Sequence, residues 1–142
     1  MSDLTFEMDI HEEGIILVKL TGVFDFDVWR AKRQQILDTK LSGVNLFGRP
    51  SVVDVTVSDP PPGDWKKTFL RIHQELISVG EGTGPIAIVL GNSLMKALTA
   101  RLYSEIIALY RGASRNIIIC STYDEAFDWM MENDSWRKDI VN

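Results

Sequence analysis

A chain of 142 residues and 16.1 kDa, 45% apolar and 25% charged, fits one domain of about 100–200 residues, large enough to build a core without disulfide or metal staples. One cysteine and two widely separated histidines exclude a disulfide framework and a cysteine-cluster zinc site, and a net charge of −5 argues against a dedicated nucleic-acid binder. The start MSDLTFEMDI lacks the basic region and apolar block of a signal peptide, and no run of about 18 apolar residues is present to span a membrane, so the expected compartment is the cytoplasm.

Thr5 to Ile10 alternates, with Phe6, Met8 and Ile10 on one face and Glu7 and Asp9 on the other; a period of two predicts a half-buried strand. After the turn His11 to Gly14, Ile15 to Leu20 is apolar on both faces except at Lys19. The pair reads as a hairpin leading from an edge strand inward. Asp25 or Asp27 can cap a helix over Val28 to Thr39, with Trp29, Ile36 and Leu37 as its apolar stripe. Arg30, Lys32 and Arg33 read as a solvated basic face of that helix. Leu41 to Ser51 is a loop punctuated by Gly43, Gly48 and Pro50.

Val52 to Val57 is a strand, and Pro60, Pro61 and Pro62 end it by removing three N–H donors in a row. Trp65, Phe69, Ile72, Leu76 and Ile77 then recur at helical spacing. Pro85 to Leu90 and Asn116 to Cys120 are short apolar runs of the kind found in buried parallel strands. Between them, Ser93 caps a helix reaching about Tyr110. It carries two apolar stripes, Leu94–Leu98–Leu102–Leu109 and Met95–Tyr103–Ile107–Tyr110. One stripe suffices to cover a sheet, so the surplus packs under a neighbour, lines a cavity or forms an interface. Thr122 and Glu125 match a capping box that opens a last helix to Asn133, with Phe127, Met130 and Met131 inward. The expected architecture is a single α/β domain over residues 1–133, ordered β-β-α-β-α-β-α-β-α. Its five-stranded, mixed and mostly parallel sheet is flanked by about four helices, and residues 134–142 are left as a loose tail.

Residues 1–13 hold five acids and no Lys or Arg, and residues 122–142 hold six acids and two bases, so the middle is mildly basic. Its charge is either ordinary solvated surface or a face for anions. Ligands in such sheets bind beyond the carboxyl ends of the strands, where helix N-termini converge. The candidate ligand-binding residues there are Ser58, Asp59, Asn92, Ser93 and Thr122, with the alternative that they are caps and turns; Asp54 joins them from within the third strand. Asp54 stands out as a carboxylate inside an apolar strand, which must be paired, hydrogen-bonded or protonated.

Tempting catalytic motifs fail on context. Gly80-Glu81-Gly82-Thr83-Gly84 precedes a strand, the wrong end for a phosphate loop. Ser93-Leu94-Met95-Lys96 matches S-x-x-K without the companion motifs of that chemistry. His11, His73 and Cys120 lack a visible catalytic partner. No catalytic residue, metal or cofactor is expected; an enzyme built on Asp54, Ser58 and Asn92 is the minor alternative. Trp65, Phe69, Lys66 and Lys67 offer a peripheral membrane contact.

The element order, the strand Ser51-Val52-Val53-Asp54-Val55-Thr56 and the closing Asp124-Glu125-Ala126-Phe127-Asp128-Trp129 resemble the SpoIIAA-like fold. That fold is shared by STAS domains (sulphate transporter and anti-sigma factor antagonist domains) and by small bacterial SpoIIAA-like proteins. The resemblance runs from Thr5 to about Asn133. It implies a non-catalytic module that binds a protein partner, a second copy of itself, or a small apolar or anionic ligand. The architecture is also similar to that of CRAL-TRIO lipid-binding domains, which implies Trp65 and Phe69 as candidate ligand-binding residues, with the surplus apolar surface of the third helix, for an apolar or amphipathic ligand. Antagonists carry a phosphorylatable serine after an aspartate at the start of the helix following the third strand. Here Asp64 has a counterpart but Trp65 stands in the serine's place, so the resemblance does not extend to a kinase-operated switch.

Overall fold

The period-two pattern of the first segment is realised as a hairpin. In β1 (Thr5–Ile10) Phe6 and Met8 are buried while Thr5, Glu7 and Asp9 face solvent. β2 (Ile16–Val23) pairs with it antiparallel, placing Phe6 opposite Leu20 and Met8 opposite Val18. β3 (Ser51–Asp59), β4 (Ile86–Val89) and β5 (Ile117–Cys120) then add in parallel, each beside the one before, so the spatial order equals the chain order. The computed structural model describes residues 4–59, 65–78, 80, 84–94, 96–101 and 117–140, with the backbone alone at 65 and 66.

Right-handed crossovers that always step the same way across a sheet put their helices on one face. Accordingly α1 (Phe26–Asp38), α2 (Trp65–Ser78) and α3 (helical at residues 94 and 96–101) share a face. Trp29, Ile72 and Leu76 pack with Phe6, Met8 and Leu20, and Ala97 and Ala100 pack with Ile86 and Ile88. α4 (Tyr123–Glu132) follows the last strand and covers the other face, where Ala126 and Met130 meet Val52, Ala87 and Val89. Asp25 caps α1 by accepting the Val28 N–H at 3.1 Å, and Thr122 caps α4 through the Glu125 N–H at 3.2 Å, both as the sequence predicts. Across the top of the first face, Arg71 stacks 3.9 Å from the Phe26 ring and Arg30 pairs with Glu75 at 3.3 Å, joining α1 to α2.

Two expectations are corrected. Residues 134–140 are not loose: Ser135–Asp139 form a 3-10 helix and Trp136 is 3% exposed, its Nε1–H donating to the Met130 carbonyl at 3.0 Å. That carbonyl lies in the last turn of α4, where helix oxygens lack intrahelical partners, so the indole both fills the second face and finishes the helix. Arg33 is not part of a solvated face either; it is 2% exposed. It lies one helical turn after Trp29, and its guanidinium stands 5.7 Å from that indole ring and 3.8 Å from the Met8 sulphur. The aliphatic stem of an arginine packs as apolar surface. Among the described residues, no helix is long and apolar enough to cross a membrane.

Candidate functional site: a cavity beneath three helices

Helices α1, α2 and α3 do not close completely on the sheet. Between them lies a cavity of about 180 Å³. Its floor is formed by β2, β3 and β4 through Val18, Leu20, Val53, Val55 and Ile88, and its walls by Trp29, Phe69, Ile72 and Ala100 from the helices. Asp59, an exposed residue, also lines it, so the cavity reaches solvent at the carboxyl end of β3. This is the end of the sheet at which a ligand is expected.

A bulge shapes that opening. Lys19 of β2 pairs with Asp54, but Thr21 pairs with Val57, so β3 spends one residue more than β2 over this stretch. One extra residue reverses which side chains face which side. Before the bulge Val52 faces α4, while Val53 and Val55 face the cavity. After it Ser58 faces the cavity too, although strict alternation would have grouped it with Val52. Val57 is left 54% exposed. The Asp54 carboxylate accepts the Thr56 N–H at 2.9 Å, which satisfies a backbone donor where the ladder is interrupted. The carboxylate is therefore hydrogen-bonded, on the α4 side of the sheet, and does not enter the cavity.

The structure divides the other predicted residues. Ser58, Asp59 and Phe69 line the cavity. Ser58 is 5% exposed and its hydroxyl donates to the Gly22 carbonyl at 3.0 Å. Phe69 is turned into the cavity and so does not form an outward membrane face, while Lys67 is exposed. The Trp65 and Lys66 side chains, and residues 60–64 with Asp64, lie outside the described residues. Ser93 and Thr122 are helix caps, and Asn92 is an exposed turn residue. None of these three lines the cavity, so Asp54, Ser58 and Asn92 do not converge.

The leucine stripe of α3 also departs from the packing reading. Leu94 is 74% exposed and Leu98 49%, whereas Ala97 and Ala100 meet the sheet. Small side chains let a helix lie close, and the leucines one step round the helix then face outward. Leu102 and Leu109, and the second stripe of Met95, Tyr103, Ile107 and Tyr110, fall outside the described residues.

Lys96 and Arg33 are the charged residues of the described cavity lining that sequence reasoning missed. Arg33 carried a signal: it sits four residues after Trp29 and three before Ile36, on the apolar stripe rather than opposite it. Lys96 carried none, because its role depends on the bulge. Its Nζ donates to the Val55 carbonyl at 3.0 Å and to the Thr56 carbonyl, both beyond Asp54, the last β3 residue paired with β4. The lysine of the S-x-x-K motif is thus a backbone clamp, and the Ser93 hydroxyl accepts its N–H at 3.2 Å.

Cys120 and His11 lie in structural surroundings. Burial, then the nearby Glu125 charge, pushes the Cys120 thiol above its ordinary value of 9.0, which holds it in the unreactive protonated form. His11 accepts the Glu13 N–H on Nδ1 at 3.0 Å and its ring meets Phe127 edge-on at 4.8 Å. Gly84 allows a close crossing: a Cβ there would lie 2.5 Å from the Arg49 carbonyl oxygen. The glycine is thus required for backbone packing. Among the described residues, no three His, Cys, Asp or Glu side chains gather to hold a metal ion.

No family model and no curated protein matches the sequence. Solved structures do. One similar chain is an uncharacterised protein of the DUF3478 family with a SpoIIAA-like fold from Shewanella loihica PV-4. It matches with a TM-score of 0.60 and 12% identity over 91% of this chain and 94% of that one. Another is an anti-sigma factor antagonist from Mycobacterium paratuberculosis, with a TM-score of 0.52 and 16% identity over 91% of this chain and 95% of that one. Each likeness covers 91% of this chain, and on that ground the chain has the SpoIIAA-like fold.

Proposed function

We propose that this chain is a non-catalytic regulatory module of the cytoplasm that takes a small apolar ligand into the cavity beneath α1, α2 and α3. The carrying observation is the cavity itself. Interiors are packed as tightly as organic crystals, and an apolar void of about 150 Å³ is already large enough to bind benzene; this one measures about 180 Å³ and is lined mainly by aliphatic and aromatic side chains. The regulatory part of the reading is supported by the likeness to an anti-sigma factor antagonist.

Ala100, 6% exposed, lines the cavity from α3, and Ala100→Leu fills it. The expected result is a Tm raised by about 2–4 °C, together with loss of the calorimetric binding signal for 1-octanol that the wild type gives. A wild type that binds no such probe, and carries no co-purified ligand in native mass spectrometry, overturns the reading.

A second reading, docking of a protein partner, is favoured by Leu94 and Leu98. They stand one helical turn apart on the outer side of α3 and are 74% and 49% exposed. A photoreactive residue at position 98 should give one discrete adduct in cells, and the same residue at exposed Lys32 on α1 should give none. An adduct of twice the chain's mass identifies the partner as a second copy. No adduct at 98 removes this reading and leaves the cavity untouched.

A further inference from the structure

The cavity mouth specifies a head group as well as an apolar body. Lys96 is half-buried and lines the cavity. Its two bonds to the Val55 and Thr56 carbonyls use two of the three hydrogens of an ammonium, which leaves one donor for a bound molecule. Ser58 has already given its hydrogen to Gly22, so at this end it can only accept. Asp59, also an acceptor, is exposed, and water and salt screen its charge. An ammonium held rigidly by backbone carbonyls binds an ionised acceptor in a charge-assisted bond, roughly twice as strong as one to a neutral group. The volume sets the body: about 180 Å³ suits a ring or chain of roughly six to eight carbons.

We propose that the cavity takes a small amphipathic monocarboxylate, an aryl or short alkyl acid, with its apolar body against Val53, Val55 and Ile88 and its carboxylate on the Lys96 ammonium. This rests on the ligand-binding reading above. The test compares octanoate with 1-octanol, which share a chain and differ in the head, by isothermal titration calorimetry on the full chain. The wild type is expected to bind octanoate at least about tenfold tighter than 1-octanol. Lys96→Met should bring octanoate down to the alcohol's affinity and leave the alcohol unchanged, and Lys96→Arg should retain the preference. Should Lys96→Met fail to fold, the wild-type ratio and Lys96→Arg decide. Equal affinities in the wild type, or a preference for the alcohol, overturn the assignment to Lys96 while the ligand-binding reading stands. Binding of neither compound overturns both.

Discussion

Trp29→Ala is expected to lower the unfolding free energy by about 3–5 kcal/mol, the cost of truncating a large buried aromatic side chain. The indole is 4% exposed and joins α1 to β1 and to the link that follows β2. It meets the Phe6 ring edge-on at 6.4 Å, the Phe24 ring at 5.8 Å and the Phe26 ring at 5.6 Å, and it faces the Arg33 guanidinium. Aromatic pairs add about 0.5–1.5 kcal/mol each beyond the area they bury. The indole also borders the cavity, so its removal enlarges an existing void, which the surroundings have already failed to fill. Against a total stability of about 5–15 kcal/mol for a domain, the loss is large enough to leave a measurable unfolded fraction. Urea titration should show a lower midpoint at unchanged slope. A loss below about 1 kcal/mol would mean that the aromatic cluster repacks around the gap.

Trp136→Ala should cost a similar amount, about 3–5 kcal/mol, by a different route. Trp136 packs in the core beneath α4 with Ile15, Val52 and Met130, and its N–H satisfies the Met130 carbonyl. Trp136→Phe keeps one ring but loses that bond and the pyrrole half of the indole, so its cost should fall between that of the bond alone, about 0.5–1.5 kcal/mol, and that of Trp136→Ala. Removal of every residue after Asn133 should be at least as damaging as Trp136→Ala. A truncated chain that melts at the wild-type temperature would show that the second face of the sheet is complete without the 3-10 helix.

The contrast between these two tryptophans shows what the sequence makes legible. Trp29 belongs to a helical stripe, and its burial follows from spacing alone. Trp136 stands among Asp134, Ser135, Arg137 and Lys138, with Ile140 four residues on as its one apolar neighbour at helix spacing, too short a pattern to mark an element, and the open face under α4 explains its burial. The strands were readable because a period of two, or a short apolar run, has few other uses in a domain of this size. Their spatial order is seen only in the structure; crossover chirality then fixes the face each helix covers.

Part of the cavity lining was readable for the same reason. Ser58 and Asp59 follow from the rule that sites open at the carboxyl ends of strands, and Phe69 from its place on the apolar stripe of α2. Asp54 was singled out for a real physical need, burial of a carboxylate, but that need is met locally by the Thr56 N–H. The bulge that turns Ser58 inward and gives Lys96 its two carbonyls leaves no mark in composition or periodicity. It exists only as a mismatch between two strands, Lys19 to Thr21 against Asp54 to Val57.

A sheet whose strands lie side by side in the order of the chain has a consequence for synthesis. Every strand pairs with the one translated just before it, so the sheet can grow outward from the hairpin as residues leave the ribosome, at about 5–20 residues per second. The face beneath α1, α2 and α3 gains its cover progressively with each crossover. The opposite face has no such schedule: Ile15, Val52, Ala87 and Val89 wait for Ala126, Met130 and Trp136, which come from the last twenty or so residues. During that interval a nascent chain presents a half-finished sheet with one bare apolar side, the surface on which chaperones would act and on which prematurely terminated copies would aggregate.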